Sequence, residues 1–429
     1  MAMPRAVSVV LRPLARIGPA FIVAAVVLGP GSVTTMTKMG GAHGYAMLWL
    51  PLAAGVLMAG FVMLFMRFGI ASDRSYLEHC ARVCGRWFAA LCGLSMFYIA
   101  TAFQFGNNIG VTTALDSLLG GGREGTPPVP AWVWPVAFNA LAIVFLFAFR
   151  RVYAILEKMM TVLVAVMLVA FLVNLVFARP SLRGIAGGLV PSFPEGLDWM
   201  VAAGIVATTF SIVGAIFQTY LVRARGWTRT DFGSGVVDSV SGIGMLTLIS
   251  VVIMTTSAAV LHPRGLGVET AADMAVQLET VFGAAARVVF CIGFAAAAFS
   301  SFLVNAMIGG TLLADGLGLG DDLNGRAARL GSALSLVIGM VVALLVTVWR
   351  TLDFAEALVA AQAGTLLAIP LAIVSVLVVL LRPGTSGVRR LRIPAVVFVL
   401  VGTAVLVAMA ALSFTTTLDA LRRMLGGGR

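Results

Sequence analysis

Charged residues are scarce in this sequence: Asp, Glu, Lys and Arg make up 11% of its 429 residues, whereas 60% are hydrophobic. A soluble domain with this balance would leave too much apolar surface facing water. The long polar insertions that would form a soluble domain are absent as well. The hydrophobic residues occur in uninterrupted runs without amphipathic spacing, which is the pattern of helices surrounded by lipid. The sequence therefore predicts an all-α polytopic membrane protein in contact with the lipid bilayer.

Cysteine and histidine are also few, with four and three residues in the whole chain. Cys80 and Cys84 follow His79 in a stretch, 70–86, that we predict to be a loop. A closed zinc site needs four ligands at recognisable spacing, so we interpret these three as loop residues near the membrane surface and predict no metal site. No predicted span carries a nucleophile–base pair or a metal triad, so we expect neither an enzyme nor a cofactor.

The hydrophobic runs predict a single transmembrane domain over residues 1–429. A helix needs about 20 apolar residues to cross ~30 Å of hydrocarbon, and about eleven runs meet this requirement. They cover 17–39, 44–69, 87–119, 131–149, 152–177, 198–222, 236–261, 280–317, 329–349, 355–381 and 393–415. We expect the third and eighth runs to include turns outside the membrane. Proline residues predict turns rather than helices in the segment 178–197.

Arginine is concentrated in alternate loops, and this pattern predicts the orientation of the chain. The arginine-rich loops follow spans 2, 4, 6, 8 and 10. By the positive-inside rule the N-terminus then lies in the cytoplasm, and an odd number of spans places the C-terminus outside. We predict a multi-pass protein of the bacterial cytoplasmic (inner) membrane without a cleavable signal peptide. The net charge of +11 is explained by these loops, so we expect no nucleic-acid partner.

The first span is interrupted in its middle by Gly29-Pro30-Gly31. Proline removes a backbone donor and glycine adds backbone freedom. In hydrocarbon the freed backbone groups must find partners, so such a break persists where it lines a cavity. Span 6 also carries small and polar residues at mid-depth, Ser211-Ile212-Val213-Gly214, although it lacks proline. Matching interruptions predict two inverted five-helix repeats, 17–177 and 198–381, followed by an additional helix, 393–415. The alternative is a simple proline kink in span 1.

Several segments resemble, in order along the chain, the Nramp (natural resistance-associated macrophage protein) family of divalent-metal transporters. The similar segments are Ile17–Ala20, Leu28–Ser32, Met66–Ala71, Leu156–Lys158, Gly188–Pro194, Leu221–Trp227, Ser300-Ser301, and Gln362 with Pro370. The resemblance implies a LeuT-type fold of two inverted repeats with helices 1 and 6 broken. It also implies transport by alternating access, with a substrate site at the two breaks.

The sequence departs from the family at the metal-binding positions. The family motif Asp-Pro-Gly-Asn reads Gly29-Pro30-Gly31-Ser32 here, and the family motif Met-Pro-His falls on Ser211, Ile212 and Val213. An acidic pair in helix 3 of the family, thought to relay protons, is replaced by Gln104 and Asn107. A dehydrated divalent cation needs anionic oxygen or soft ligands, and no Asp or Glu lies in the middle of a predicted span. The acids Asp116, Asp238, Asp315, Asp353 and Glu356 all fall near predicted helix ends.

The residues left at these positions predict a neutral polar cavity. Its candidate substrate-binding residues are Gly29, Pro30, Gly31, Ser32, Thr34, Thr35, Gln104, Asn107, Ser211, Val213, Gly214 and Gln362. The half-helices that start at the breaks direct their positive N-terminal ends at this cavity. Without a carboxylate nearby, such ends favour an anionic or hydrogen-bond-accepting solute. Gln104 and Asn107 have an alternative role, which is to bond neighbouring helices.

Three functions remain open from the sequence alone. The first is secondary transport of a small organic solute with carboxylate or amide character, coupled to Na⁺ or H⁺ or uncoupled. The second is transport of a divalent metal ion, either Mg²⁺ that keeps its water, held by amides and hydroxyls, or, as a weaker alternative, Mn²⁺ or Fe²⁺. The third is a non-transporting membrane sensor, which usually calls for an added signalling domain.

Overall fold

The computed structural model describes residues 19–20, 23, 29–119, 129–148, 172–349, 354–381 and 393–424. Apart from short 3₁₀ turns, the named elements of these residues are α-helices. They are α1 (Pro30–His43), α2 (Trp49–Ala71), α3 (Tyr76–Cys84), α4 (Arg86–Leu118), α5 (Val133–Ala148), α6 (Leu182–Gly188), α7 (Trp199–Thr209), α8 (Ile212–Ala224), α9 (Phe232–Val260), α10 (Ala271–Ala275), α11 (Glu279–Phe282), α12 (Ala286–Gly316), α13 (Arg326–Trp349), α14 (Phe354–Gly364), α15 (Ile369–Leu381) and α16 (Ile393–Met424).

Eight helices in the described part of the chain are long and apolar enough to cross a membrane, with α7–α8 and α14–α15 each counted as one. Two further predicted spans are represented by α1, which is the second half of span 1, and by the shorter apolar helix α5. Predicted span 5, 152–177, lies outside the described residues up to 171. The all-α polytopic fold class is confirmed, and the division into two inverted repeats stays a prediction.

Three local predictions were wrong, and one was confirmed. The third run forms one uninterrupted helix, α4, instead of containing a turn. The eighth run does begin with short turns over 279–285 before α12 starts. The segment 178–197 contains α6, which Ser181 caps by accepting a hydrogen bond from the Gly184 N–H. The predicted loop 70–86 contains α3, capped in the same way by Ser75.

The most extensive contact between two of the described helices joins α4 to α12 and depends on glycine. A Cβ atom at Gly93 of α4 would lie 2.7 Å from the Leu312 carbonyl oxygen and 3.0 Å from the Gly316 Cα. On the opposite side of α12, a Cβ at Gly310 would collide with the backbone of α13 at Ala328 and Ser332. Small residues let helix backbones approach closely where lipid supplies no hydrophobic driving force between helices. The pair α4–α12 therefore forms a closely packed wall of the bundle.

The two interrupted helices lie beside this wall. The half-helix α1 packs against α7, α9 and α14 and touches both α4 and α12. The half-helix α8 packs mainly against α2. Ser257 of α9 fixes α1 by donating a hydrogen bond of 2.6 Å to the Thr37 carbonyl oxygen. This arrangement holds the breaks of both helices in the interior of the bundle.

Replacing Gly93 with valine should lower the thermal unfolding midpoint in detergent, because the added side chain meets the α12 backbone and overpacking of this kind costs about 1–3 kcal/mol. The matched control is Gly244→Val on α9, where nothing lies within 4 Å of the position that a Cβ would take. Equal midpoints for the two variants would contradict the close α4–α12 contact.

Candidate functional site

The break in the first helix lies at Gly29. Its backbone is extended, with φ −96° and ψ −179°, and α1 begins at the next residue, Pro30. Proline suits this first helical position because its missing N–H would have no intrahelical partner. Gly29 offers no side chain to cap the helix, so the N–H groups of the first turn have no side-chain cap. The start of α1 therefore presents free backbone donors and a partial positive charge.

The hydroxyl groups that follow the break are satisfied locally. Ser32 donates to the Gly29 carbonyl oxygen at 3.4 Å, and Thr35 donates to the Gly31 carbonyl oxygen at 3.0 Å. Thr34 donates to the Met274 sulfur at 3.5 Å, toward α10. Ser32 and Thr35 thus pair carbonyl groups around the break, whereas Thr34 is directed away from it.

The sixth span is broken as well, although it has no proline there. Helix α7 ends at Thr209, Phe210 leaves the helical conformation with ψ 69°, and α8 starts after Ser211. The Ser211 hydroxyl caps α8 by accepting a hydrogen bond of 3.2 Å from the Gly214 N–H. Val213 and Gly214 lie in the first turn of α8. The predicted interruption is therefore present, one residue earlier than the polar stretch that indicated it.

Gly29 is tightly enclosed by two other helices. A Cβ atom at this position would lie 2.9 Å from the Ser301 hydroxyl oxygen of α12 and 3.3 Å from the Asn107 side-chain oxygen of α4. Distances of this kind leave no room for a larger side chain without movement of its neighbours. The space beside the break that a carboxylate would need is thus occupied by a neutral hydroxyl and a neutral amide.

Gln362 of α14 lies against the other glycine of the break. A Cβ at Gly31 would collide with the Gln362 amide, and one at Gly106 of α4 would lie 2.9 Å from the Gln362 amide nitrogen. The side chain is buried, and its Oε1 has no hydrogen-bond partner among the described residues. A buried, unpaired acceptor beside free helix donors is suited to hold a polar ligand.

The amides of α4 form a hydrogen-bond network. Gln104 donates to the Phe302 carbonyl oxygen at 2.7 Å and accepts from the Asn107 amide at 3.2 Å. Asn139 of α5 donates to the Asn108 side-chain oxygen at 2.6 Å. Gln104 therefore joins α4 to α12, as the structural alternative predicted. Asn107 contributes to this network with its nitrogen and turns its oxygen toward Gly29.

Asp238 and Asp315 lie near helix ends, as predicted, but the sequence did not reveal that both are buried and hydrogen-bonded. Asp315 accepts hydrogen bonds from the Ser75 hydroxyl at 2.9 Å, the Tyr220 hydroxyl at 2.6 Å and the Leu77 N–H at 3.3 Å. Asp238 accepts from the Ala20 N–H at 2.8 Å, near the start of the first span. Asp315 therefore joins α12 to α3 and α8. Asp238 joins α9 to the first span.

A surface pocket of about 220 Å³ lies at the arginine-rich end of the bundle. Three arginines and three acids line it together with Ser75, Gly318 and Gly320: Arg74, Arg86, Arg223, Glu78, Asp315 and Asp321. Arg86 contacts Glu78 at 2.7 Å, and Arg223 contacts Asp321 at 2.9 Å. Since positive and negative charges alternate in the pocket, its main effect is to hold the helix ends together.

The prediction that His79 and Cys80 lie in a loop was wrong. Both residues are buried in α3. Within the described residues no group of three or more His, Cys, Asp and Glu side chains is placed to hold a metal ion. Hydrogen bonding with Cys92 and burial both raise the pKa of the Cys80 thiol. The thiol therefore stays protonated and unreactive at neutral pH while α3 is in place.

Comparisons with known proteins identify the family to which the chain is similar. The model of the Nramp family, described as natural resistance-associated macrophage protein-like, matches residues 20–416. The chain is 26% identical over 315 residues to the divalent metal cation transporter MntH of Deinococcus radiodurans, covering 71% of this chain and 70% of that protein. It is 27% identical over 300 residues to MntH of Pectobacterium carotovorum subsp. carotovorum, covering 69% and 71%. Its fold matches a crystal structure of the Eremococcus coleocola manganese transporter with a TM-score of 0.79, at 15% identity and with 99% and 94% of the chains covered.

Replacing Gly29 with alanine should lower the thermal unfolding midpoint, because the new methyl group meets the Ser301 hydroxyl. Removing that hydroxyl in the double variant Gly29→Ala, Ser301→Ala should recover part of the loss, about 1 kcal/mol for such a coupled pair. Strictly additive effects of the two substitutions in a double-mutant cycle would show that the two residues do not press on each other.

Replacing Asp315 with asparagine should loosen α3, because the new side chain offers one acceptor oxygen to three donors. We expect Cys80 to react about tenfold faster with a maleimide, as a loss of about 1–3 kcal/mol in local stability predicts. Labelling is followed at the Cys80 peptide by mass spectrometry. The control is Asp73→Asn, because the Asp73 side chain is 84% exposed. If Cys80 reacts at the same rate in Asp315→Asn as in the unmodified protein, the proposed role of Asp315 is refuted.

Proposed function

The chain belongs to the Nramp family, and from this premise we propose that it is a secondary transporter whose central site binds a small hydrogen-bonding organic solute instead of a dehydrated transition metal. The solute carries an amide or carboxylate group. Binding occurs between the breaks of the first and sixth spans, and release follows the alternating opening of the two ends of the bundle.

The observation that carries this proposal is the packing around Gly29. In the family pattern this position holds the aspartate that binds the metal, and here Ser301 and Asn107 occupy the neighbouring space. A bare divalent ion in a protein interior needs anionic or soft ligands to offset the loss of its water. The groups at the break are hydroxyls, amides and backbone, which provide neither a negative charge nor a sulfur ligand.

The electrostatics of the two breaks support the same conclusion. Both α1 and α8 begin in the bundle interior and carry partial positive charge at these ends. Ser211 uses its hydroxyl to cap one backbone N–H of α8, and α1 has no side-chain cap. Free N–H groups in such positions bind oxygen atoms of solutes well and repel cations. The unpaired Gln362 oxygen adds an acceptor on the α14 side, so a solute with both a donor and an acceptor fits best.

Divalent-metal transport is the second candidate, and the comparisons favour it. Two relatives are divalent metal cation transporters, and the structural neighbour is a manganese transporter. The chain would then have to hold the ion with part of its water retained, since neutral oxygens coordinate a hydrated ion such as Mg²⁺ better than a bare one. Either substrate would meet the same residues at the breaks, so uptake must decide between them.

Uptake into proteoliposomes separates these functions. We expect the purified protein to accumulate radiolabelled acetamide, acetate or an N-acetyl amino acid above the level of empty vesicles, and to show no uptake of Mn²⁺. Imposed Na⁺ and H⁺ gradients, tested one at a time, identify the coupling ion. A matched preparation of a manganese-transporting MntH relative is the positive control for metal uptake.

The opposite pattern would overturn the proposal. Accumulation of Mn²⁺ or Mg²⁺ without any organic solute would establish the divalent-metal function. Absence of uptake for every substrate, in vesicles where the MntH control is active, would favour a non-transporting sensor.

A further inference from the structure

Gln218 is a buried glutamine that the description of the central site leaves unexplained. It lies on α8, seven residues after Ser211 and four after Gly214. Because seven residues make nearly two helical turns, these three residues lie on one face of α8. Gln218 is 0% exposed, and neither its Oε1 nor its Nε2 has a hydrogen-bond partner in the described part of the chain.

The other glutamines and asparagines near the breaks differ from Gln218. Gln104, Asn107, Asn108 and Asn305 all donate hydrogen bonds from their amides to protein oxygens. Gln362 leaves its oxygen unpaired. Among the described glutamines and asparagines, only Gln218 has a buried amide that is unpaired at both atoms. Nearly all buried polar groups in proteins have a hydrogen-bond partner, which is another protein group, a water molecule or a ligand.

The face of α8 that carries Gln218 is directed toward Val23 of the first span. The position that a Cβ would take at Gly214 lies 3.5 Å from a Val23 methyl group. Thr219, on the neighbouring face, approaches Gly69 of α2 through its backbone. Gln218 lies four residues, about one helical turn, beyond Gly214 on this face and nearly two turns beyond Ser211, toward the end of α8 that carries Arg223. A second substrate site here requires a solute that leaves the central site toward this end to pass along this face.

We propose that Gln218 forms a second substrate site, the inner polar site, and that it selects solutes carrying a carboxamide or urea group. This inference rests on the proposed transport of a small organic solute and deepens it. A glutamine amide with both atoms free presents an adjacent donor and acceptor. A carboxamide or urea group presents the complementary pair, whereas a carboxylate presents acceptors only.

The energetic balance at Gln218 makes the inner polar site testable. An unpaired buried amide costs stability, so replacing it with methionine, which has a similar length and no amide, should not lower the thermal unfolding midpoint. If Gln218 only fills space, its replacement with methionine lowers neither the unfolding midpoint nor the transport rate. If Gln218 binds the substrate, the same replacement keeps the unfolding midpoint but lowers the transport rate.

The experiment compares Gln218→Met with a matched control, Thr417→Val. The control also removes a buried, unpaired polar group, which is the Thr417 hydroxyl on α16. Acetamide, urea and acetate are the probes, each radiolabelled, with the full-length protein in proteoliposomes. We expect Gln218→Met to keep its unfolding midpoint and to lose about tenfold in acetamide and urea uptake, with a smaller effect on acetate. Thr417→Val should transport all three as the unmodified protein does. Gln218→Glu should lose the preference for acetamide over acetate, because a carboxylate has no amide donor.

Equal acetamide uptake by Gln218→Met and the unmodified protein would overturn the inner polar site and leave the proposed function standing. Failure of the unmodified protein to move any organic solute would overturn the proposed function instead. In that case the inner polar site is judged separately, by labelling Gln218→Cys with a water-soluble thiol reagent in a background without the four native cysteines. A Gln218→Cys that stays unlabelled in every condition would show that this face does not line a path.

Discussion

A helix that is broken inside a membrane leaves backbone donors and acceptors that hydrocarbon cannot pair, and the rest of this structure is arranged around that constraint. Ser32 and Thr35 pair carbonyl groups at the first break, and Ser211 pairs an N–H at the second. The remaining free groups are enclosed by α4, α12 and α14, which approach closely because Gly29 and Gly31 carry no side chains. The glycines thus have two roles: they allow the chain to leave the helix, and they allow neutral side chains to reach the exposed backbone.

The same two roles explain how the family fold is compatible with neutral residues at the first break. The fold depends on the break, on Pro30 at the start of α1 and on the cap of α8, and each of these is present. Under the proposed function, the substrate is set by the side chains beside the break, which are neutral here. Ser301 and Asn107 fill the space at Gly29, so a carboxylate at that position would require both neighbours to move. A single substitution at Gly29 would leave both of those residues in the chain.

Much of the fold could be predicted from the sequence because lipid imposes a simple rule on composition. Uninterrupted apolar runs gave the spans, and Gly29-Pro30-Gly31 gave the first break. The second break was harder, since Ser211 and Gly214 are ordinary helix residues and only the comparison of the two halves marked them. Helix α3 was missed because its residues are too polar for a span, although Ser75 and Glu78 have the spacing of a capping box that marks a helix start. The hydrogen bonds of Asp315 could not be predicted, because its three donors come from sequence positions 75, 77 and 220. Long-range contacts of this kind leave no local pattern.

The distribution of charge also limits how the substrate can drive a change of conformation. Asp315 and Asp238 hold the arginine-rich end together through hydrogen bonds to several elements, and each neutral hydrogen bond of the central site contributes about 0.5–1.5 kcal/mol. A ligand shifts a conformational equilibrium only by the difference in its affinity for the two states. A small solute must therefore make several neutral hydrogen bonds at once to offset the opening of that end. A solute whose donors and acceptors all find partners, such as a carboxamide that meets Gln362, the start of α1 and then Gln218, uses every polar atom it has. An ion without a carboxylate ligand at the break gains less from the same groups, and the proposed preference for an organic solute rests on this difference.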